Sequence, residues 1–142
     1  MTTTEKAQTI TIEANIKAPE QKIWQYYTEP VHIMKWNQAS DDWHTVKAEN
    51  NLYAGGTFTS RMEAKDGSFG FDFGGTYTEV KPNKLIVYTM GDGRTVRVTF
   101  DRKGEESKIT VVFDPEHTNS LELQKNGWQA ILNSFKKYTE TN

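Results

Sequence analysis

The sequence contains no cysteine. That excludes disulfides, thiol nucleophiles and thiolate metal ligands together. No apolar run approaches the ~20 residues that a membrane-spanning helix needs. The opening segment Met1-Thr2-Thr3-Thr4-Glu5-Lys6 lacks the apolar centre of a signal peptide. We therefore expect a cytoplasmic protein without membrane insertion. Neither sign of charge is in excess: 17 Lys and Arg face 19 Asp and Glu, a net charge of −2. No broad positive field is offered to phosphate backbones, so nucleic acid is not an expected partner.

Motifs of chemistry are also missing. No G-x-S-x-G elbow occurs, and Ser60, Ser68, Ser107, Ser120 and Ser134 lack the setting of a nucleophile. Gly91-Asp92-Gly93 reads as a hairpin turn rather than a phosphate loop, because no helix follows it. His32, His44 and His117 never pair at i, i+4. His44 stands beside Asp41-Asp42, but a solvated strand start accounts for this better than a metal site. We expect no metal, no cofactor and no catalytic residue.

What the chain does have is aromatic bulk. Apolar residues make up only 35%, yet aromatics reach 12%. Few but large apolar groups leave gaps when they pack, which hints at a cavity. The 142 residues suit one domain, with residues 1–7 expected to be frayed. Ile10, Ile12, Ala14 and Ile16 alternate with polar residues and predict a strand over 8–17. Pro19 is suited to a first helical position and predicts a helix over 19–28, with Ile23, Trp24 and Tyr27 as its buried stripe. Pro30 breaks that helix and can open a second. Val31, Met34 and Lys35 have the spacing of a second short one over 31–36.

Six strands are then predicted near 43–48, 56–64, 68–80, 84–90, 94–102 and 107–114. Turn signals separate them: Gly55-Gly56, Asp66-Gly67, Pro82-Asn83, Gly91-Asp92-Gly93 and Lys103-Gly104. Val96, Val98 and Phe100 form one face, as do Ile109, Val111 and Phe113. Gly74-Gly75 inside a strand predicts a bulge or sharp bend. The final segment, Ser120 to Tyr138, reads as a helix of ~30 Å, with Asn119 as N-cap and Glu122 completing a capping box. Its stripe is Leu121, Trp128, Ile131, Leu132, Phe135 and Tyr138. Gly127 beside Trp128 costs the helix ~1 kcal/mol relative to alanine, which suggests close backbone approach or a need for open space, the alternative being neutral drift on an exposed turn. The order strand, two helices, six strands, long helix is an α+β solution. A curved antiparallel sheet would wrap the C-terminal helix, with the gap between them filled by large side chains or left as a cavity.

The motifs carry a family resemblance. The series begins with Ala18-Pro19-Glu20-Gln21-Lys22-Ile23-Trp24, Tyr27-Thr28-Glu29-Pro30 and Ile33-Met34-Lys35-Trp36-Asn37. Asp42-Trp43, Gly55-Gly56-Thr57-Phe58, Arg61-Met62, Asp66-Gly67 and Phe71-Asp72-Phe73 follow. Gly75-Thr76-Tyr77, Pro82, Asp92-Gly93-Arg94, Phe113, Gln124 and Gly127-Trp128 complete it. In this order they resemble the Bet v 1/START-related (SRPBCC) superfamily. More closely, they are similar to bacterial single-domain proteins like the C-terminal domain of the activator of Hsp90 ATPase. The resemblance implies the helix-grip fold and a cavity for a hydrophobic or amphipathic small molecule. Superfamily members bind lipids or steroids, cyclise polyketides or assist chaperones. Chaperone or stress-related contact is thus an implied alternative, weakened because the eukaryotic activator's further N-terminal domain has no room in this chain.

The candidate ligand-binding residues are chiefly aromatic: Trp24, Trp36, Trp43, Phe58, Phe71, Phe73, Tyr88, Phe113 and Trp128, with Phe135 as a further candidate. Met62, Val98 and Leu132 add aliphatic wall, and Ser60, Tyr88 and Gln124 are candidate polar anchors. If Phe58 and Met62 face inward, Ser60 does too, while Arg61 and Glu63 face out. If Phe71 and Phe73 face inward, Asp72 faces out. The expected function is non-catalytic binding of an apolar small molecule of lipid, polyketide or aromatic type. The alternatives are a cyclase or hydrolase, or a protein-interaction cofactor.

Overall fold

One seven-stranded antiparallel sheet organises the chain. The computed structural model describes residues 8–142; residues 1–7, read above as frayed, lie outside the described residues. β1 (Ile10–Ile16) leads into α1 (Glu20–Thr28) and α2 (Pro30–Trp36). A run of hairpins follows: β2 (Trp43–Asn50), β3 (Thr57–Ala64), β4 (Gly70–Lys81), β5 (Leu85–Met90), β6 (Thr95–Lys103) and β7 (Glu106–Phe113). The helix α3 (Leu121–Thr141) closes the chain. The spatial order is β1-β7-β6-β5-β4-β3-β2. This is the α+β arrangement that the element order implied and the helix-grip fold that the resemblance implied.

Strand alternation sets the buried face. In β7, Ser107, Ile109, Val111 and Phe113 are buried, and Val96, Val98 and Phe100 of β6 share that side. Each such aliphatic or aromatic side chain contributes ~1.5–3 kcal/mol by leaving water. The hairpin turns follow their sequence signals. Gly67 and Gly93 take φ of 79° and 92°, values that glycine adopts without steric cost. The preceding aspartates brace the turns: Ser68 N–H donates to Asp66 Oδ1 at 2.8 Å and Arg94 N–H to Asp92 Oδ1 at 3.1 Å.

Gly74-Gly75 has a different role from the one expected. The irregularity in the β4–β5 ladder falls between Tyr77 and Glu79, beyond the glycines. A Cβ on Gly75 would stand 2.6 Å from the Thr89 carbonyl oxygen, and one on Gly74 would collide with the carbonyl of Phe58. These glycines therefore let three strands come close together, and the bend lies further along β4.

The helix ends also differ from expectation. Pro19 is the N-cap of α1, with extended backbone, rather than its first helical residue. Pro30 opens α2. In α2 the exposed residues are Val31, Met34 and Lys35, while Trp36 is buried and Ile33 packs on the core, so the inward stripe runs through Ile33 and Trp36. The N-cap of α3 is Ser120, whose hydroxyl accepts from Leu123 N–H at 3.1 Å. Asn119 is instead tied to Glu116, so no capping box forms with Glu122.

The long helix crosses the sheet's concave face and covers its β1 edge. Gln129 Nε2 donates to the Glu13 carbonyl at 3.1 Å, and Lys136 Nζ to the Asn15 carbonyl at 2.5 Å. Edge carbonyls that would invite another strand are thereby occupied. Its inward residues Trp128, Ile131, Leu132, Phe135 and Tyr138 meet the core, whereas Leu121 lies largely in solvent. No helix among the described residues is long and apolar enough to cross a membrane.

Candidate functional site

The concave face and α3 do not meet along their whole length. Between them lies a cavity of about 430 Å³. Its closed end is built by Tyr27 and Thr28 of α1, Ile33 and Trp36 of α2, and Asn37 just beyond. The sheet contributes Ile12 of β1, Phe58, Ser60 and Met62 of β3, and Phe71, Phe73 and Tyr77 of β4. Ile86 and Tyr88 of β5 and Val111 of β7 complete that wall. Helix α3 contributes Leu123, Gln124, Gly127, Trp128, Ile131 and Leu132. The mouth is where the wall turns polar and exposed, at Phe71, Leu123, Arg94, Glu116 and Asn119.

A second depression, of about 790 Å³, lies between Lys17–Gln21 and the hairpin Arg102–Ser107. It is larger, but its rim is charged side chains and it is the more open of the two. The cavity under α3 is the one whose lining resembles a small-molecule site.

The β3 and β4 residues reach the cavity for the reason their alternation implied. Phe58, Ser60 and Met62 point in. Arg61 points out and pairs with Glu63 at 3.0 Å and with Asp72 at 3.6 Å. Phe71 and Phe73 line the cavity while Asp72 is exposed. Ten candidates from the sequence thus stand on its wall: Trp36, Phe58, Ser60, Met62, Phe71, Phe73, Tyr88, Gln124, Trp128 and Leu132.

Four candidates stand elsewhere. Trp24 packs edge-on to Phe100, with ring centroids 5.2 Å apart. Trp43 lies outside the mouth against Phe69 and Phe71. Val98 is fully buried in the core. Phe113 sits behind the wall, stacked on Trp128 with centroids 3.9 Å apart. Phe135, the further aromatic candidate, is fully buried against Tyr27 and Trp36 rather than on the wall. Periodicity assigns a residue to a face, and the concave face supplies both solid core and cavity wall.

Gln124 is on the wall but its amide is committed. Its Oε1 accepts from Glu116 N–H at 2.8 Å, and its Nε2 donates to the carbonyls of Glu116 and Asn119 at 3.1 and 2.9 Å. It therefore holds the loop 114–120 in place at the mouth. The Glu116 carboxylate in turn accepts from the backbone amides of Asn119 and Thr118. The Asn119 amide foremost, then its side chain and Thr118, hold that carboxyl below its usual range. Arg94 donates to Asp92 at 2.8 Å.

The sequence analysis did not assign Arg94, Glu116 and Asn119 to the site, because nothing in a loop's composition tells which way it folds. Tyr77 was legible in principle, since it continues the alternation of Phe71 and Phe73. Its hydroxyl donates to Asn50 Oδ1 at 2.5 Å, and Asn50 Nδ2 donates to the Thr28 carbonyl at 2.6 Å, tying β4 to α1 through β2. Burial pushes the phenols of Tyr27, Tyr77 and Tyr88 above the ordinary phenol value. The suspected metal position is a strand pair: His44 faces Glu63 across β2 and β3. Gly127 faces open space, with nothing within 4 Å of a Cβ placed there. Close backbone approach is thereby removed, which leaves a need for open space or neutral drift.

Comparison with known proteins agrees with this geometry. The family model described as activator of Hsp90 ATPase homolog 1-like protein matches residues 17–140. An AHSA1-like protein from Aeromonas hydrophila, solved by NMR, is 40% identical with a TM-score of 0.89, over 94% of this chain and 93% of its own. A protein from Cytophaga hutchinsonii is 59% identical with a TM-score of 0.82, again over 94% and 93%. A protein from Chromobacterium violaceum shares the fold at 21% identity, with a TM-score of 0.84 over 95% of this chain and 99% of that one. No curated protein matches the sequence significantly. Helix-grip architecture, cavity and family match together place the chain: it belongs to the activator of Hsp90 ATPase homolog 1-like family, within the Bet v 1/START-related superfamily.

Proposed function

We propose that this chain binds a hydrophobic or amphipathic small molecule of lipid, polyketide or aromatic type in the cavity under α3, without catalysing a reaction on it. The observation that carries the reading is the cavity: about 430 Å³, walled mainly by aromatic and aliphatic side chains and open to solvent. Ligand sites are typically apolar clefts of ~300–1,000 Å³ with a few polar groups to orient the occupant. A fold that needed only stability would fill such a volume, because interior space sacrifices packing contacts.

Binding rather than turnover is favoured by what the titratable groups are doing. The wall carries one carboxylate and one guanidinium, Glu116 and Arg94, both at the mouth. Glu116 braces its own loop and Arg94 pairs with Asp92. A cyclase or hydrolase needs a group that exchanges its proton beside the reacting atoms near the working pH, and burial keeps the wall's phenols, Tyr27, Tyr77 and Tyr88, protonated well above it.

The test is a panel of lipids, polyketides and flavonoids, read by thermal shift and by amide NMR. At least one class should raise the melting temperature and move resonances of residues around Phe58, Phe73, Tyr88 and Leu132. A panel without stabilisation, or with shifts confined to the outer surface, removes the proposal. Recovery of a chemically altered ligand would favour the enzyme reading instead.

A further inference from the structure

The hydroxyls inside the cavity differ in how they are employed. Thr28 Oγ1 donates to the Trp24 carbonyl at 2.7 Å, and the Tyr77 hydroxyl donates to Asn50. The hydroxyls of Tyr27 on α1, Tyr88 on β5 and Ser60 on β3 have no hydrogen-bond partner among the described residues. All three side chains line the cavity. Ser60 is 5% exposed. Tyr27 and Tyr88 are half-buried, and burial is the foremost influence on both phenols. None of the three hydroxyls is among the sealed, unpartnered polar atoms, so each is reachable from the cavity, and together they form a polar site in an apolar room.

We infer that Tyr27, Tyr88 and Ser60 form a hydrogen-bond-donor site inside the cavity, and that it takes an uncharged carbonyl-type oxygen carried by an otherwise apolar ligand. This rests on reading the cavity as a ligand site. A carbonyl oxygen has two lone pairs and can accept from both phenols at once. Burial keeps the phenols protonated, so they serve as donors throughout the ordinary pH range. A carboxylate is disfavoured there. Among the described residues the wall's one cation is Arg94, at the mouth; its charge reaches the Tyr88 phenol but is already paired with Asp92 at 2.8 Å. An anion would be stripped of water without a partner.

The experiment uses three compounds of nearly one size: 2-acetylnaphthalene, 2-ethylnaphthalene and 2-naphthoate. Affinities are measured by NMR titration of the full chain. The ketone should bind about tenfold or more tighter than the hydrocarbon, the return expected of one or two hydrogen bonds, and tighter than the carboxylate. In Tyr27→Phe/Tyr88→Phe the ketone-to-hydrocarbon ratio should fall towards one while the hydrocarbon still binds. Carbon-13 labelling of the ketone gives a readout that needs no variant: the bound carbonyl resonance should move downfield, as it does on accepting hydrogen bonds.

Equal binding of ketone and hydrocarbon overturns this inference and leaves the cavity reading standing; the hydroxyls would then be held by water alone. A ketone preference that survives the double variant overturns it as well. So does a naphthoate preference abolished by Arg94→Gln, which would move the polar site to the mouth. If no compound of the three binds, the cavity reading falls and takes this inference with it.

Discussion

The indole of Trp128 lies flat on the ring of Phe113, with centroids 3.9 Å apart and planes 13° from parallel. The same indole meets Phe73 edge-on at 6.0 Å. Phe113 is on β7 and Phe73 on β4, three strand steps away in the sheet order. Three steps span about 14 Å in a flat sheet. Both rings converge on one side chain because the sheet curls around α3. Trp128 is therefore both the contact that closes helix onto sheet and one wall of the cavity.

Trp128→Ala should cost ~3–5 kcal/mol, the range for truncating a large aromatic in a packed site. Urea unfolding measures it. A loss under ~1 kcal/mol would show that the stack does not hold α3 to the sheet.

Gly127→Ala should act in the opposite direction. A Cβ there meets nothing within 4 Å, so the helix gains the propensity difference of ~1 kcal/mol. For a chain of this length that raises the melting temperature by about 3–5 °C. A lowered melting temperature would mean that the space beside Gly127 is not open in solution.

Gln124→Leu keeps the side chain's bulk and removes three hydrogen bonds to the loop 114–120. We expect ~1–3 kcal/mol of destabilisation and faster amide hydrogen exchange in that loop, ahead of the sheet. Unchanged exchange at Glu116 and Asn119 would count against Gln124 as the loop's anchor.

Alkaline pH should unfold the protein through its buried phenols. Tyr27, Tyr77 and Tyr88 hold their protons above the ordinary value of 10.0, first because of burial. Above that pH the unfolded chain releases protons that the folded chain keeps, so stability present below about pH 10 falls as pH rises. Ultraviolet absorbance of phenolate, followed with circular dichroism, should show these three ionising only on unfolding. Reversible ionisation of all six tyrosines in the native state would contradict this.

Acid should loosen the mouth. Hydrogen bonds, with the Asn119 amide foremost, hold the Glu116 carboxyl below its ordinary 4.5. The loop's bracing is thus present above that value and lost as pH falls through the lower folded one. The amide resonances of Thr118 and Asn119 should follow this transition, and a midpoint at or above 4.5 would exclude it.

Period-two alternation placed Phe58, Ser60 and Met62 on the inner face and Arg61 and Glu63 outside, because successive strand side chains must point to opposite sides. Turn chemistry at Asp66-Gly67 and Asp92-Gly93 marked two hairpins in advance. The same reasoning misassigned Val98 and Phe113 to the wall. It found the right face, but depth beneath that face depends on where the sheet parts from α3.

Element order, strand faces and the family motifs were determined by the sequence itself, since each depends on neighbours a few residues apart. The position and size of the cavity, the open hydroxyls of Tyr27, Tyr88 and Ser60, and the polar mouth of Arg94, Glu116 and Asn119 were decided only by the tertiary structure. They arise from the curvature of seven strands around one helix, and that curvature is a property of all their contacts together.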